Sequence, residues 1–198
     1  MLGTRAREGD ELRLDGRLIR RRAPAVVGVL LCHRSPGEPL AGFADRLPQR
    51  SGRRFISVSP MPLADGGLEL LTADGALAAR LQRAVGTLEM EVSVRVRGEI
   101  DEAQQRSLLA AGQSDGARVG ALEALGGEGT NRWYRLTTVG LSGAQLRALL
   151  ERAGVTPIRA LRTRLGSLSL PRTLLRGRWR SLEPGELSAL LGSPGSGP

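Results

Sequence analysis

The chain has 198 residues, 40% of them hydrophobic and 25% charged, which is enough for one globular domain, or two small ones, with a buried core. This composition excludes a disordered chain and a collagen, and the single cysteine excludes a disulfide scaffold. No run of about 18 uncharged apolar residues is present, and the charged N-terminus does not have the pattern of a secretory signal. We therefore expect a cytoplasmic protein that does not enter a membrane.

The net charge indicates an anionic partner. The sequence has 29 basic and 20 acidic residues, a net charge of +9, and nucleic acid is the commonest partner of such a protein. Every basic residue is arginine, a usage that a GC-rich genome also produces. Because only 3% of the residues are aromatic, stacking of bases on many rings is not expected to be the main binding mode.

The arginines are concentrated in a few segments. Between Arg152 and Arg180 the sequence has eight arginines and no acidic residue, which makes this segment the predicted binding face. Smaller clusters lie at 20–22 and 50–54. The arginines predicted to contact RNA are Arg53, Arg54, Arg159, Arg162, Arg164, Arg176, Arg178 and Arg180.

Hydrophobic periodicity and capping residues predict both helices and strands. In chain order, the predicted elements begin with a helix capped by Asp74, a half-buried strand over 87–97, a helix from Asp101 to about Ala111, and strands over 118–125 and 132–138. They continue with a helix that begins at the capping box of Ser142 and Gln145, a strand over 157–165, and a helix that begins at Pro184. Strands outnumber helices and hairpin connections are common. The pattern therefore predicts an α+β fold: a mixed, mainly antiparallel sheet with flanking helices.

Two tryptophans and the single tyrosine lie in predicted strands. Trp133 and Tyr134 are adjacent, so they face opposite sides; one is expected in the core, and the other could stack on a base among neighbouring arginines. Trp179 is expected to pack in the core. The single His33 and single Cys32 are too few for a metal cluster, and Cys32 is expected to be buried.

Several segments, in order, resemble the RsuA-type bacterial ribosomal RNA pseudouridine synthases. The matching segments are Gly3–Arg5 with Asp10–Arg17, His33-Arg34-Ser35-Pro36-Gly37 in place of an Asn-Lys-Pro-x-Gly turn, Gly67–Gly75 in place of Gly-Leu-Leu-Leu-Leu-Thr-Asn-Asp-Gly, Val94–Gly98, Gln145–Arg147 and Gly177–Pro184. The resemblance implies a pseudouridine synthase-like domain over 24–191, a remnant of an S4-like RNA-binding domain and linker over 1–23, and a disordered tail over 192–198. It also implies ribosomal RNA as the partner and no cofactor or metal; the oligomeric state is left open.

The sequence departs from the family at the positions that the resemblance makes catalytic. The family's Gly-Arg-Leu-Asp motif, whose Asp is the catalytic residue, falls on Ser59 to Pro62, so Pro62 replaces the carboxylate and Pro60 the arginine. The family's Lys-x-Tyr falls on Met90 and Val92, which removes the tyrosine that packs against the flipped base. The basic residue beside the catalytic Asp is retained as Arg147.

These departures leave three hypotheses. Because proline has no ionisable group for the nucleophilic or proton-transfer step, the first is a catalytically degenerate protein that still binds RNA. The second is an active isomerase in which Asp65, three residues beyond Pro62, supplies a substitute carboxylate, although an aspartate before glycines is also typical of a turn. The third is a protein-interaction module, or the product of a decayed reading frame, with no RNA role.

Overall fold

The computed structural model describes residues 12–14, 17–19, 28–47, 54–111, 117–127 and 129–192. The strands are β1 (Leu12–Leu14), β2 (Arg17–Ile19), β3 (Leu30–Arg34), β4 (Ile56–Ser57), β5 (Gly66–Thr72), β6 (Glu89–Arg97), β7 (Arg118–Gly126), β8 (Asn131–Val139), β9 (Thr156–Leu165), β10 (Leu168–Ser169) and β11 (Trp179–Ser181). The helices are α1 (Leu40–Ala44), α2 (Gly75–Val85), α3 (Glu102–Ala111), α4 (Gly143–Arg152) and α5 (Pro184–Leu191). The expected tail lies outside the described residues from 193 onward, as does the expected S4-like remnant except for β1 and β2. No helix of the described residues is long and apolar enough to cross a membrane.

One sheet forms the centre of the fold. Its strand order is β11-β3-β5-β9-β6-β8-β7, with β4 beside β5 and β10 beside β9, while β1 and β2 form a separate antiparallel pair. Among the described pairings of the sheet only β5 with β9 is parallel. The predicted mixed, mainly antiparallel sheet with flanking helices is confirmed.

The alternation in the sequence determines which face of each central strand is buried. In β6 the residues Met90, Val92, Val94 and Val96 are buried, and the residues between them are partly exposed. The same core cluster contains apolar residues of α2, α3, α4 and α5, so these four helices pack on that face. On β8, Tyr134 joins this core, and its hydroxyl oxygen accepts the backbone N–H of Ile100 at 2.9 Å.

The opposite face of the sheet is covered over only part of its width by the described elements. A smaller cluster under α1 includes Leu30 and Cys32 of β3, Leu71 of β5 and Phe43 of α1, with Trp179 packed against it. Cys32 is buried as predicted, and burial raises the pKa of its thiol. The described elements therefore leave the β9-β6-β8-β7 half of this face without a covering layer.

The predicted helix starts are confirmed by their capping hydrogen bonds. The Asp74 carboxylate accepts the N–H groups of Ala76 and Leu77 at 2.9 and 3.0 Å, and Asp101 accepts that of Gln104 at 2.8 Å. Ser142 and Gln145 form the reciprocal capping box at the start of α4. The cap at Ser142 fixes where α4 begins and therefore which residues its first turn presents to the sheet.

The two halves of the sheet meet at the short parallel ladder between β5 and β9. Only Gly66 with Leu161 and Gly67 with Arg162 are paired there. Gly67 has φ +91°, and a Cβ at this position would collide with the backbone of Arg162, so glycine permits the close approach of the two strands. Beyond these two pairs, the side chain of Arg162 joins β9 to β5, because its Nε donates to the carbonyl oxygen of Leu68 at 2.7 Å.

Arg162 belongs to a buried charge cluster with Arg34 and Glu69. The Glu69 carboxylate lies 3.0 Å from Nε of Arg34 and 3.8 Å from Nη2 of Arg162, and all three residues are at most 3% exposed. Burial lowers the pKa of the Arg162 guanidinium, while the charge of Glu69 opposes that shift. A single carboxylate thus lies between two buried cations at the junction of the sheet.

Replacing Glu69 is expected to destabilise the fold strongly. In Glu69→Gln two guanidinium groups stay buried without their countercharge, so the free energy of unfolding should fall by about 3–5 kcal/mol. The matched control is Glu123→Gln, because Glu123 pairs with Arg135 through a side chain that is 61% exposed. The Glu123→Gln control should lower the free energy of unfolding by less than about 1 kcal/mol. Urea unfolding of both variants measures the difference, and equal losses would contradict the role given to Glu69.

Candidate functional site

The site is built around the loop of residues 59–65 between β4 and β5, which we call the proline loop. Its backbone is fixed by the buried charge cluster. Nη2 of Arg34 donates to the carbonyl oxygens of Met61 and Pro62 at 2.8 and 2.9 Å, and the N–H of Met61 donates to Glu69 at 2.9 Å. Arg162 binds the other end of the loop, at the carbonyl and hydroxyl oxygens of Ser59. The loop conformation is therefore set by side chains of β3, β5 and β9.

Asp65 and Arg147 form an ion pair at the end of the proline loop. Nη2 and Nε of Arg147 lie 2.7 and 3.2 Å from the two carboxylate oxygens, and the backbone N–H of Ala160 donates to the same carboxylate at 2.7 Å. Asp65 is fully buried, and its own N–H donates to the carbonyl oxygen of Pro62 at 3.0 Å. The hydrogen bond with Asp65 raises the pKa of Arg147, so this guanidinium stays protonated and bound to the Asp65 carboxylate.

Arg147 also ties helix α4 to the sheet. Its Nη1 donates to the carbonyl oxygen of Pro157 on β9 at 3.0 Å. The structure thus places Arg147 on a helix beside the 60–66 segment, where the alignment with the pseudouridine synthases predicts it. The carboxylate that it binds is Asp65 and belongs to the same turn as Pro62.

The first turn of α4 packs directly on the proline loop. A Cβ built at Gly143, the first residue of α4, would come within 2.7 Å of the Met61 sulfur and 2.8 Å of Pro62 Cδ. Met61 is buried and belongs to the main core cluster. The space between α4 and position 62 is therefore filled by protein atoms, and the absence of a side chain at Gly143 is what allows this packing.

Val92 lies in the core close to the same loop. It is fully buried and stands opposite Arg162 in the β6–β9 register, and Arg162 binds Ser59. Val92 thus pairs with the residue whose side chain binds the start of the proline loop. The valine leaves no aromatic ring at this point.

A surface cavity of about 700 Å³ adjoins the proline loop, and we call it the arginine notch. It is lined by the turn Ser35–Glu38 and by Arg46, Arg176, Gly177 and Arg178. The N–H of Gly37 in this turn donates to the carbonyl oxygen of Leu63 at 2.7 Å, which connects the notch to the loop. Arg46 is paired with Glu38 at 2.7 Å, whereas Arg176 and Arg178 are exposed. The notch therefore presents exposed positive charge beside a turn that is hydrogen-bonded to Leu63 of the proline loop.

The acid-free arginine segment is not one uniform binding face, because Arg162, Arg164 and Arg180 lie against acidic side chains from elsewhere in the chain. The prediction that Arg162 contacts RNA is wrong, since this residue is fully buried and its guanidinium binds the protein. Arg164 pairs with Glu89 and Glu91 of β6, and Arg180 with Glu186 of α5. Arg54, Arg176 and Arg178 are exposed and Arg159 is half-buried, while Arg53 lies outside the described residues.

Sequence reasoning missed Arg34, Glu69 and Gly143 as determinants of the site. Glu69 carried a signal, because it stands where the matching family segment has leucine, in a run that the structure buries completely. A charge in such a run requires a buried partner. Nothing in the sequence identified that partner as Arg34 or the neighbour of Gly143 as Pro62, since these contacts join residues far apart in the chain.

The fold is that of the pseudouridine synthases. A solved structure described as "Crystal structure of pseudouridylate synthase" matches with a TM-score of 0.66 and 18% sequence identity, covering 82% of this chain and 73% of that chain. A structure of the archaeal box H/ACA sRNP complex matches with a TM-score of 0.58 and 18% identity, covering 76% of this chain and 51% of that chain.

Sequence similarity identifies the family within this class. Ribosomal large subunit pseudouridine synthase B of Escherichia coli K12 is 37% identical over 187 residues, and the Salmonella typhimurium protein of the same name is 36% identical over 196 residues. These alignments cover 88% and 93% of this chain, and 64% and 67% of the relatives. The chain thus spans about two thirds of the length of the curated relatives it matches. No family model matches the sequence. This chain belongs to the RsuA-type ribosomal RNA pseudouridine synthase family.

Adding a methyl group at Gly143 is expected to disturb the packing of α4 on the proline loop. Because the Pro62 ring cannot turn away as a flexible side chain could, Gly143→Ala should lower the free energy of unfolding by about 1–3 kcal/mol. Gly75→Ala is the matched control: Gly75 is the first residue of α2, and the nearest atom to its Cβ is 4.0 Å away. That control should be neutral or stabilising by up to about 1 kcal/mol.

A second substitution separates this contact from helix propensity. Pro62→Ala removes the ring atom that meets the added methyl group, so Pro62→Ala should recover stability in the Gly143→Ala background. Thermal unfolding of the two single variants and the double variant measures this coupling. Strict additivity would show that Gly143 and Pro62 do not depend on each other.

Proposed function

We propose that this chain is an RNA-binding member of the pseudouridine synthase family that does not catalyse the isomerisation. The observation that carries the proposal is the position of the carboxylate beside Arg147. It belongs to Asp65, which is fully buried and accepts hydrogen bonds from Arg147 and from the backbone of Ala160, while position 62 is a proline.

The chemistry supports this interpretation. The family reaction detaches uracil, turns it and rejoins it through carbon, and it needs a carboxylate that reaches the flipped nucleotide. Asp65 could reach a nucleotide only by giving up its ion pair and its backbone hydrogen bond. The packing of Gly143 against Met61 and Pro62 also fills the space on one side of position 62. Positioning by the rest of the fold does not replace a missing nucleophile.

Charge and shape support binding to RNA. The net charge of +9 favours a polyanion, and the curated relatives are named as synthases of ribosomal large subunit pseudouridine. The arginine notch holds the exposed Arg176 and Arg178 next to the proline loop. Guanidinium groups bind phosphate oxygens through charge-assisted hydrogen bonds, so we assign the RNA backbone to this notch. The partner we propose is ribosomal RNA.

The catalytic part of the proposal predicts that the purified protein forms no pseudouridine on unmodified large-subunit ribosomal RNA. Pro62→Asp alone should not restore full activity, because Pro60 still constrains the loop backbone and Val92 leaves a flipped base without an aromatic partner. The smallest change expected to give turnover is a graft of Gly-Arg-Leu-Asp onto 59–62 combined with Val92→Tyr. Mass spectrometry of the digested RNA measures the product.

The same assay tests the alternative of an active enzyme that uses Asp65. Pseudouridine formation by the unmodified protein, abolished in Asp65→Asn but retained in Glu123→Gln, would overturn the proposal and make Asp65 the catalytic residue. Because Asp65→Asn breaks a buried pair, its unfolding must be measured beside its activity.

The binding part predicts a strong salt dependence that originates in the notch. Arg176→Gln combined with Arg178→Gln should reduce the slope of log K against log salt by about 0.7 for each single-strand phosphate that the variant no longer neutralises. Arg80→Gln with Arg83→Gln removes the same charge from the exposed side of α2 and is the matched control. Fluorescence anisotropy with labelled RNA over a salt series measures both slopes. An equal change in the two variants would show that only net charge matters.

A further inference from the structure

The uncovered half of the sheet carries a row of three side chains that the proposed site does not use. Trp133 of β8 stands directly opposite Arg95 of β6, and Arg95 stands directly opposite Arg159 of β9. All three are partly exposed and face away from the helices that cover the other side. Since neighbouring strands are about 4.8 Å apart, the row places one indole and two guanidinium groups within about 10 Å.

The two arginines of this row have no acidic partner among the described residues, whereas the arginines beside them do. Arg135 on the same face lies within 4 Å of Glu91 and Glu123, and Arg164 lies within that distance of Glu89 and Glu91. Among the described residues Arg95 and Arg159 form no ion pair, and Nε of Arg95 is buried without a hydrogen-bond acceptor. Two cations on one line therefore lack a protein partner in the part of the chain that the structure describes.

Trp133 has an open flank on the side away from these arginines. Its partner on β7 is Gly126, which has no side chain, and a Cβ at Gly126 would meet no atom within 4 Å. The other tryptophan differs, because the Trp179 indole N–H donates to the carbonyl oxygen of Arg46 at 2.7 Å and the ring packs on the cluster under α1. A flat ring of another molecule can therefore lie beside Trp133 without displacing atoms of the described residues.

We propose that Arg95, Trp133 and Arg159 form a binding surface for single-stranded RNA, with an unstacked base on the indole and the flanking phosphates at the two arginines. This inference rests on the proposed RNA-binding function and adds a second surface to the arginine notch. An aromatic ring beside backbone-binding cations is the arrangement that holds single strands without reading their sequence. A duplex keeps its bases stacked, so the indole has no base to contact in double-stranded RNA.

The experiment measures the affinity of a labelled 20-nucleotide oligouridine for the full chain over a salt series. Trp133→Leu should weaken binding by at least about fivefold, and Trp133→Phe should retain most of the affinity because a ring is kept. Arg95→Gln with Arg159→Gln should flatten the salt slope by about 1.4, or 0.7 for each phosphate. Arg80→Gln with Arg83→Gln again serves as the charge control, and thermal unfolding checks each variant.

The outcomes separate this inference from the proposed function. If the Arg95–Arg159 variant behaves like the charge control while the Arg176–Arg178 variant loses affinity, this surface is refuted and the notch stands. An RNA duplex that competes as well as the single strand, or equal affinities for Trp133→Leu and Trp133→Phe, would also refute the stacking contact. If the unmodified protein binds no RNA at about 50 mM salt, the proposed RNA-binding function fails, and this inference fails with it.

Discussion

The buried cluster of Arg34, Glu69 and Arg162 is the interaction on which the rest of the structure depends. Burying three charged groups is costly, and the cost is offset only where each polar atom has a partner. Here the partners are the backbone carbonyls of Ser59, Met61, Pro62 and Leu68. The same hydrogen bonds therefore join the two halves of the sheet and fix the proline loop. A change in the loop sequence is tolerated as long as its carbonyls stay in place, because the guanidinium groups contact backbone and not loop side chains, apart from the Ser59 hydroxyl.

The ion pair and the hydrogen bond that Arg147 makes do not depend on the side chain at position 62. Arg147 joins α4 to the sheet through Asp65 and through the carbonyl of Pro157, and neither contact requires a carboxylate at position 62. Met61 and Pro62 fill the space next to Gly143. The buried carboxylate that Arg147 binds thus lies three residues beyond position 62. Function belongs to the site and not to the fold, and the proposed loss of activity rests mainly on this loop.

The sequence predicted the elements whose signals are local. The alternation of 87–97 identified β6, and the caps at Asp74, Asp101 and Ser142 identified three helices, because period and capping depend on neighbouring residues only. The five-residue α1 has no capping side chain and is too short to show a period. Strand β5 is buried on both faces, so it lacks alternation and is recognisable only as a family motif. The buried charge cluster and the Gly143 contact join distant segments, and single-sequence patterns do not reveal such pairs.

The arginine-rich composition is resolved by the structure into three groups with different physical roles. One group binds the backbone and buried carboxylates: Arg34, Arg147 and Arg162. A second group pairs with glutamates near the surface: Arg135, Arg164 and Arg180. A third group has no acidic partner among the described residues and includes Arg95, Arg159, Arg176 and Arg178. The last group, like Arg80, Arg83 and the other described arginines that form no ion pair, is available to phosphates without breaking an existing ion pair. Net charge therefore overstates the number of RNA contacts, since a guanidinium that keeps its glutamate releases no counterion from RNA. The salt dependence of binding should accordingly follow the arginines that form no ion pair and not the 29 basic residues of the whole chain.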